Sequence, residues 1–235
     1  MTLAQHAVDD QTNAITAVET LLHHLVLEGR IVTMDALLTQ RHVAQTIVDK
    51  GGDSVMIVKE HQPRLRADIA LVFTLPPVGD RQETARTRDI GHGRIEQRTI
   101  TTSEALVGYS DWPGLAQVFA LGRHVLIQNP GEERVEVVYG VTSLRPERAT
   151  PGHVLAWVRG QWQIENKSHW VRDVTCDEDR SQVRCGNIPH VMAALRNTAM
   201  GLLRWAGHTH IAAACRRLAA QPVQALALIG IVLEN

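Results

Sequence analysis

A strand, a helix and a second strand follow one another near the start of the chain, and this order restricts the fold more than any other feature. Residues 31–34 form a β-branched run that predicts a strand, and residues 54–58 predict a second one. Between them an amphipathic helix is predicted from about Thr39 to the Gly51-Gly52 pair. Two such strands joined by a helix lie parallel through a right-handed crossover. We therefore predict an α/β fold that contains a parallel strand pair.

The period of the hydrophobic pattern changes twice along the rest of the chain. Helices are also predicted on either side of the strand pair, the first over the Thr16/Glu19 capping box and the second from Pro63. After the break at Pro76-Pro77, period-two patterns predict strands at residues 93–102, 123–128 and 134–144. Helical periodicity returns near residue 150 and predicts helices at 153–172, at 187–206 and after His210. We therefore expect an N-terminal part of the core at 1–74, a β-rich insertion at 75–148 and a helical part of the core at 149–235.

Composition excludes several classes of protein. The net charge is −1 at pH 7, so no overall basic field marks a protein that wraps DNA with its whole surface. The three cysteines match no zinc-binding spacing. The longest apolar stretch, residues 222–233, is too short to span a bilayer. We expect a soluble cytoplasmic protein with no membrane partner.

Asp35 is the first candidate for chemistry. It directly follows the predicted strand at 31–34, and open α/β sheets place ligands at the carboxyl ends of their strands. The alternative interpretation is a cap of the following turn or helix.

Glu165 is the second candidate. On a helix it shares one stripe with the apolar residues Leu155, Val158 and Trp162. A carboxylate on a core-facing stripe is costly to bury unless it is paired or bound to a metal. The alternatives are an ion pair with His169 or Arg172, or a zinc site that uses His169, for which no third ligand is evident.

Basic side chains alternate along the predicted strand at 93–102. In an extended conformation His92, Arg94, Glu96 and Arg98 share one face, and such a row is suited to contact a phosphate backbone. The alternative is a solvated strand face with a cross-strand ion pair. A further acidic segment, residues 176–180, is interpreted as a solvated loop or a cation-binding loop.

These residues, taken in order, resemble a known family. The blocks are Ile31-Val32-Thr33-Met34-Asp35-Ala36, Gly51-Gly52-Asp53, Lys59-Glu60-His61-Gln62, His92-Gly93-Arg94-Ile95-Glu96, Trp162-Gln163-Ile164-Glu165-Asn166, His169-Trp170, Asp173-Val174 and Glu178-Asp179. Together they are similar to the insertion-sequence transposases related to the H-repeat-associated proteins. The likeness covers nearly the whole chain.

The resemblance implies a ribonuclease H-like mixed sheet with flanking helices and a β-rich insertion. It implies an Asp–Asp–Glu triad that holds two Mg²⁺ ions, with Asp35 as the second aspartate and Glu165 as the glutamate. It also implies that these two carboxylates face each other. The expected partner is DNA at insertion-sequence ends, with His92, Arg94, Arg98 and Arg172 as DNA contacts, and a homo-oligomer is compatible with the family.

The chain also departs from the family pattern. Around the glutamate the family signature is Tyr-x-x-Arg-x-x-x-Glu-x-x-x-x-x-x-Lys, and here the matching positions are Val158, Gln161, Glu165 and Arg172. No match to the first catalytic aspartate, which the family places upstream on its first strand, is found. Residues 3–8 instead resemble the third strand, so we expect a truncated, catalytically inactive transposase. The alternatives are a non-catalytic DNA-binding or oligomerising remnant and a metal-dependent nuclease.

Overall fold

The computed structural model describes residues 14–91, 93–127, 131–164 and 170–231, with backbone alone at 163 and 164. The described residues fall into two compact units. One runs up to Gln161 and is called the sheet unit; the other runs from Trp162 onward and is called the helical unit. Predictions that concern residues 3–8, His92 and Glu165 with residues 166–169 lie outside the described residues.

The sheet unit is built on one mixed sheet of six strands in the order β1-β2-β6-β5-β4-β3. Strand β1 (Ile31–Met34) pairs in parallel with β2 (Asp53–Val58), with Ile31 opposite Asp53 and Met34 opposite Met56. Helix α2 (Arg41–Asp49) joins them. The parallel strand pair joined by a helix, predicted from the sequence, is therefore confirmed, and the fold is a mixed α/β sheet flanked by helices.

Four antiparallel strands extend this sheet. They are β3 (Glu83–Gly91), β4 (Arg94–Ser103), β5 (Gln117–Ile127) and β6 (Glu133–Thr142). Strand β6 pairs with β2, with Val58 opposite Tyr139, so the strands after the Pro76-Pro77 break share a sheet with β1 and β2. A side chain does not fit at Gly140 of β6, because a Cβ there would overlap the Phe119 ring and the Met56 carbonyl.

Two helices complete the N-terminal half of the sheet unit, α1 (Ala14–His24) and α3 (Pro63–Thr74). The apolar faces of α1, α2 and α3 meet the sheet in a single core. Its fully buried members include Val43, Ile47, Met56 and Ile69. This core fixes the position of β1 and therefore of the residue that follows it.

Helix α4 (Pro151–Ile164) buries the first two residues of the stripe expected from the sequence, and Trp162 is half-buried. Leu155 and Val158 are 2% and 1% exposed, so an apolar face is buried along this helix. Beyond the undescribed residues 165–169, Val171–Thr175 forms a π-helical turn and not an α-helix. The sequence predicts an α-helix over 153–172, but the last two residues of that range belong to the π-helical turn.

The helical unit also contains α5 (Ile188–Trp205), α6 (Ile211–Ala220) and α7 (Pro222–Leu228). Its small core joins the π-helical turn to α5 and α6 through Val171, Met200, Leu203, Ile211 and Ala214. Over the described part of the chain, no helix is both long and apolar enough to cross a membrane.

Candidate active site

Asp35 lies at the carboxyl end of β1, directly after the buried Met34. Its side chain is exposed to solvent. Because β1 and β2 are parallel, the residues that follow β2 lie at the same edge of the sheet. This edge, formed by Asp35 and by Lys59, Glu60 and His61 after β2, is called the β1–β2 edge.

Local hydrogen bonds hold Asp35 in place. Its Oδ1 accepts a hydrogen bond from the Leu38 N–H at 3.1 Å, and its carbonyl oxygen accepts one from Thr39 Oγ1 at 2.7 Å. Thr39 is fully buried, so the turn is anchored in the core. Asp35 thus caps a turn, as the alternative interpretation proposed, and it still presents its carboxylate to solvent.

The two loops of the β1–β2 edge are tied together. Gln62 Nε2 donates a hydrogen bond to the Thr39 carbonyl oxygen at 3.3 Å. The same segment leads into α3, whose Arg66 guanidinium lies over the Tyr139 ring at 5.7 Å from its centroid. The loop after β2 is therefore positioned relative to Asp35 by contacts from α3 and β6.

A second group of charges lies farther along the sheet and is called the Glu96 cluster. Glu96 Oε1 accepts from Arg98 Nη2 at 2.6 Å and from Arg123 Nε. Asp89 Oδ2 accepts from Arg98 Nη1 at 2.5 Å and from Arg159 Nη2 of α4 at 3.0 Å. The cluster therefore consists of two acids and three arginines from β3, β4, β5 and α4.

Burial and ion pairing oppose each other at Glu96. The residue is 4% exposed, and this burial raises the pKa of its carboxyl. The hydrogen bond from Arg123 and the charges of Arg98, Arg123 and Arg94 outweigh it, so the pKa of Glu96 is lowered below its ordinary value of 4.5. Glu96 is a carboxylate at neutral pH and holds the cluster together.

The predicted basic row on β4 thus separates into two environments. Arg94 is exposed at the start of the strand, whereas Arg98 is 9% exposed and bound to Asp89 and Glu96. The alternative interpretation was a solvated strand face with a cross-strand ion pair. The cross-strand ion pairs are present, but Glu96 and Arg98 are buried and not solvated. Arg98 would have to release two carboxylates to reach a phosphate.

Arg172 is also paired with an acid. Its Nε donates to Glu178 Oε2 at 2.5 Å, and Arg196 Nη1 lies 3.5 Å from the other oxygen of the same carboxylate. The hydrogen bond from Arg172 lowers the pKa of Glu178, against the opposite effect of burial. Glu178, from the acidic segment predicted as a loop, therefore joins the π-helical turn to α5.

A metal site cannot be assembled from the described residues by themselves. Among them, no group of three or more His, Cys, Asp or Glu side chains has the arrangement to hold a metal ion. Asp35 offers one exposed carboxylate, a ligand type that Mg²⁺ prefers.

Sequence reasoning missed three members of the Glu96 cluster: Asp89, Arg123 and Arg159. Arg159 and Asp89 lie 70 positions apart in the chain, so no local pattern could have paired them. The one signal available was the alternation of Glu96 with Arg94 and Arg98, which suggested that this face carries an ion pair.

Comparison with known proteins finds transposases. The family model described as Transposase DDE domain matches residues 1–202. The "Putative transposase YncI" of Escherichia coli O157:H7 is 30% identical over 208 residues, which are 86% of this chain and 53% of that protein. The "H repeat-associated putative transposase YhhI" of Escherichia coli strain K12 is 29% identical over 210 residues, 86% of this chain and 55% of that protein. The chain therefore spans about half the length of these curated relatives.

Proposed function

Because the chain belongs to the transposase DDE domain family, we propose that it serves phosphoryl transfer on DNA at the ends of an insertion sequence. The observation that carries the proposal is the exposed Asp35 carboxylate at the carboxyl end of β1, within the matched residues. The partner in this proposal is DNA, and a homo-oligomer is compatible with it.

Asp35 has the properties of a metal ligand. Its turn is anchored by buried Thr39, so its carboxylate is held at the strand end with little loss of entropy on binding a cation. Membership of a DDE family implies the use of divalent metal in general. Mg²⁺, when bound, activates a water or 3′-hydroxyl and stabilises the oxygens of an in-line displacement.

Glu165 is the second carboxylate of the proposal. It lies outside the described residues, and its assignment rests on the Trp-Gln-Ile-Glu-Asn block and on the buried stripe of α4 that precedes it. With Asp35 it would provide hard oxygen ligands to Mg²⁺. Asp35 by itself, without Glu165, provides too few ligands for a metal site.

Of the basic residues predicted to contact the phosphate backbone from β4, we propose Arg94 as the contact, with His92 close to it in sequence. Its exposure supports this role, since a guanidinium on the surface reaches phosphate oxygens without breaking an internal pair. For Arg98 and Arg172 the geometry favours a supporting role, because each is bound to a carboxylate of its own unit.

The proposal is tested with the purified 235-residue chain and a DNA fragment that carries both ends of its own insertion sequence. Cleavage and joining are followed with and without MgCl₂, beside gel-shift binding to the same fragment. The variants are Asp35→Asn and Glu165→Gln, and Asp179→Asn serves as a matched control at an exposed acid.

Three outcomes are distinguishable. Cleavage that requires Mg²⁺ and is lost in Asp35→Asn and Glu165→Gln, but not in Asp179→Asn, supports strand transfer by this chain. DNA binding without cleavage under any condition replaces the catalytic proposal with that of a non-catalytic DNA-binding protein. If the chain neither binds nor cleaves the DNA, both the catalytic proposal and the DNA-binding proposal are overturned.

A further inference from the structure

Strand β3 forms one edge of the sheet. It follows β4 at the end of the strand order, so among the described strands it has a neighbour on one side only. In an antiparallel pair, alternate residues direct their N–H and C=O groups away from the partner strand. Within the described part of the chain, the backbone of Glu83–Gly91 makes no hydrogen bonds beyond its ladder with β4. The outer side of β3 can therefore accept another strand.

Two arginines lie on one face of this edge. Arg86 and Arg88 alternate along β3, so they share a face, and both are exposed. Their cross-strand neighbours on β4 are neutral. The acids of the same strand, Glu83 and Asp89, lie on the opposite face, where Asp89 belongs to the Glu96 cluster. Among the described residues neither guanidinium has an acidic partner, so this face of β3 is positively charged.

These two charges oppose the pairing of β3 with β3 of a second copy. In an antiparallel pair related by a two-fold axis, a centre at Arg86, Thr87 or Arg88 places arginines of the two copies opposite each other. Like charges directly opposite each other destabilise a strand pair. Registers that avoid this contact leave little more than half of the strand paired. The arginines therefore protect this edge from self-association, and they favour a strand that carries acids.

The face that carries the two arginines continues into an apolar row. Ile90 is 70% exposed and lies opposite Ile95, which lies opposite Leu126 on β5. A phosphate backbone has no apolar group to place on this row. A polypeptide strand, whose alternate side chains share one face, can present an apolar residue to Ile90 and acids to the arginines. The combination of free backbone, charge and apolar row therefore favours a polypeptide over a nucleic acid.

We propose that β3 binds an extended acidic segment of another protein, which adds to the sheet as an antiparallel strand beside β3. On the arginine face the side chains of this segment are apolar, acidic and acidic at alternate positions, opposite Ile90, Arg88 and Arg86 in turn. Backbone hydrogen bonds supply the affinity, and the two acids supply the selectivity. The inference is independent of the proposed function, because it needs neither DNA nor a metal.

The test measures the binding of labelled peptides to the full chain by fluorescence anisotropy, at low ionic strength, where charge pairs are least screened. The acidic peptide is Thr-Val-Thr-Glu-Thr-Glu-Thr-Thr with blocked termini, and the basic peptide has Lys in place of both Glu. Two further peptides keep both acids but carry N-methyl groups on alternate residues, one peptide for each of the two possible frames. N-methylation removes the backbone donors that a ladder requires and leaves the charges unchanged.

The wild type is expected to bind the acidic peptide about tenfold more tightly than the basic one, because two cross-strand charge pairs change from attraction to repulsion. Arg86→Glu/Arg88→Glu should reverse this preference. The matched control is Arg64→Glu/Arg145→Glu, which reverses two exposed arginines elsewhere in the sheet unit and should keep the preference of the wild type. Of the two N-methylated peptides, the one whose methyl groups face β3 should lose binding, and the other should retain it.

Equal affinity of the wild type for the acidic and basic peptides overturns the proposal, as does equal binding of the two N-methylated peptides or no binding of the acidic peptide. If the acidic peptide does not bind, and duplex DNA binds more weakly to Arg86→Glu/Arg88→Glu than to the control, the arginines contact phosphates instead. The peptide comparisons use the unsubstituted chain, so they decide the question even if a variant does not fold.

Discussion

Asp35 and Glu96 are acids of the same sheet in opposite environments. Asp35 is exposed at the end of β1 and accepts a backbone hydrogen bond from Leu38. Glu96 is 4% exposed within β4 and accepts from two guanidinium groups. One carboxylate is presented to solvent at a strand end, and the other is enclosed in the body of the sheet.

The difference separates acids that hold the fold from acids available for chemistry. A buried carboxylate must be paired, because its desolvation is otherwise too costly, and the pairing occupies its oxygens. A carboxylate at the carboxyl end of a strand is held by the sheet without being covered by it. Arginines follow the same rule: Arg98 belongs to the buried group, and Arg94 remains at the surface.

The largest effect is expected at Asp35. Asp35→Asn keeps an oxygen for the Leu38 N–H but removes the negative charge, so Mg²⁺-dependent cleavage of element-end DNA should fall at least about a hundredfold, since each ~1.4 kcal/mol is tenfold in rate. The free energy of unfolding in urea should change by less than about 0.5 kcal/mol, as for other exposed sites. A large loss of stability would make Asp35 a structural cap instead.

Glu96 should show the reverse pattern. Glu96→Gln leaves two arginines without their shared carboxylate and is expected to lower the free energy of unfolding by about 3 kcal/mol. Glu132→Gln, which breaks an exposed pair with Arg134 beside β6, is the matched control and should cost less than about 1 kcal/mol. Equal effects of the two substitutions, measured by urea denaturation, would contradict a buried cluster.

Lowering the pH should also destabilise the chain, because it protonates the paired carboxylates, but by less than the Glu96→Gln substitution. The pKa values of Glu96 and Glu178 are lowered in the folded chain, so their stabilisation is present above their ordinary value of 4.5 and is lost as pH falls through the lower folded values. Thermal melting from about pH 6 to about pH 3 should therefore show a steep loss of stability below about pH 4.5.

The Glu96→Gln chain tests the cause of that acid dependence. With the Glu96 carboxylate removed, its melting temperature should fall less steeply over the same pH range than that of the wild type. Parallel curves for the two chains would mean that Glu96 does not contribute to the acid transition.

The smallest effect is expected at Arg94. Arg94→Gln should lower the salt slope of binding to duplex DNA by about 0.9, the value for one phosphate contact, without a change in melting temperature. Arg98→Gln should instead lower the melting temperature, because Arg98 is paired with Asp89 and Glu96. If Arg98→Gln also lowers the salt slope while the chain remains folded, the β4 row contacts DNA as a whole.

Local patterns were sufficient for much of the sheet unit. The β-branched run at 31–34, the helix after it and the second apolar run predict the parallel pair and place Asp35 at a strand end. These features depend on residues close in sequence, namely period, caps and the crossover rule, so the sequence carries them directly.

Strand β3 shows where local patterns end. The segment Glu83–Gly91 is mostly polar and exposed, with no apolar alternation to predict a strand. It is a strand because its backbone pairs with β4 along the whole length, from Glu83 opposite Thr102 to Gly91 opposite Arg94. Backbone hydrogen bonds to the neighbouring strand β4, and not side-chain periodicity, determine the conformation of β3.

The sequence by itself determined the parallel strand pair with its connecting helix, the strand end at which Asp35 lies and the transposase resemblance, because each depends on runs of residues close together in the chain. Only the tertiary structure decided which charges remain available. Arg98 and Arg159 meet on Asp89, and Arg98 and Arg123 meet on Glu96, across three strands and a helix. Charge attraction depends on distance in space, and residues 70 positions apart acquire that distance only when the sheet and α4 have come together.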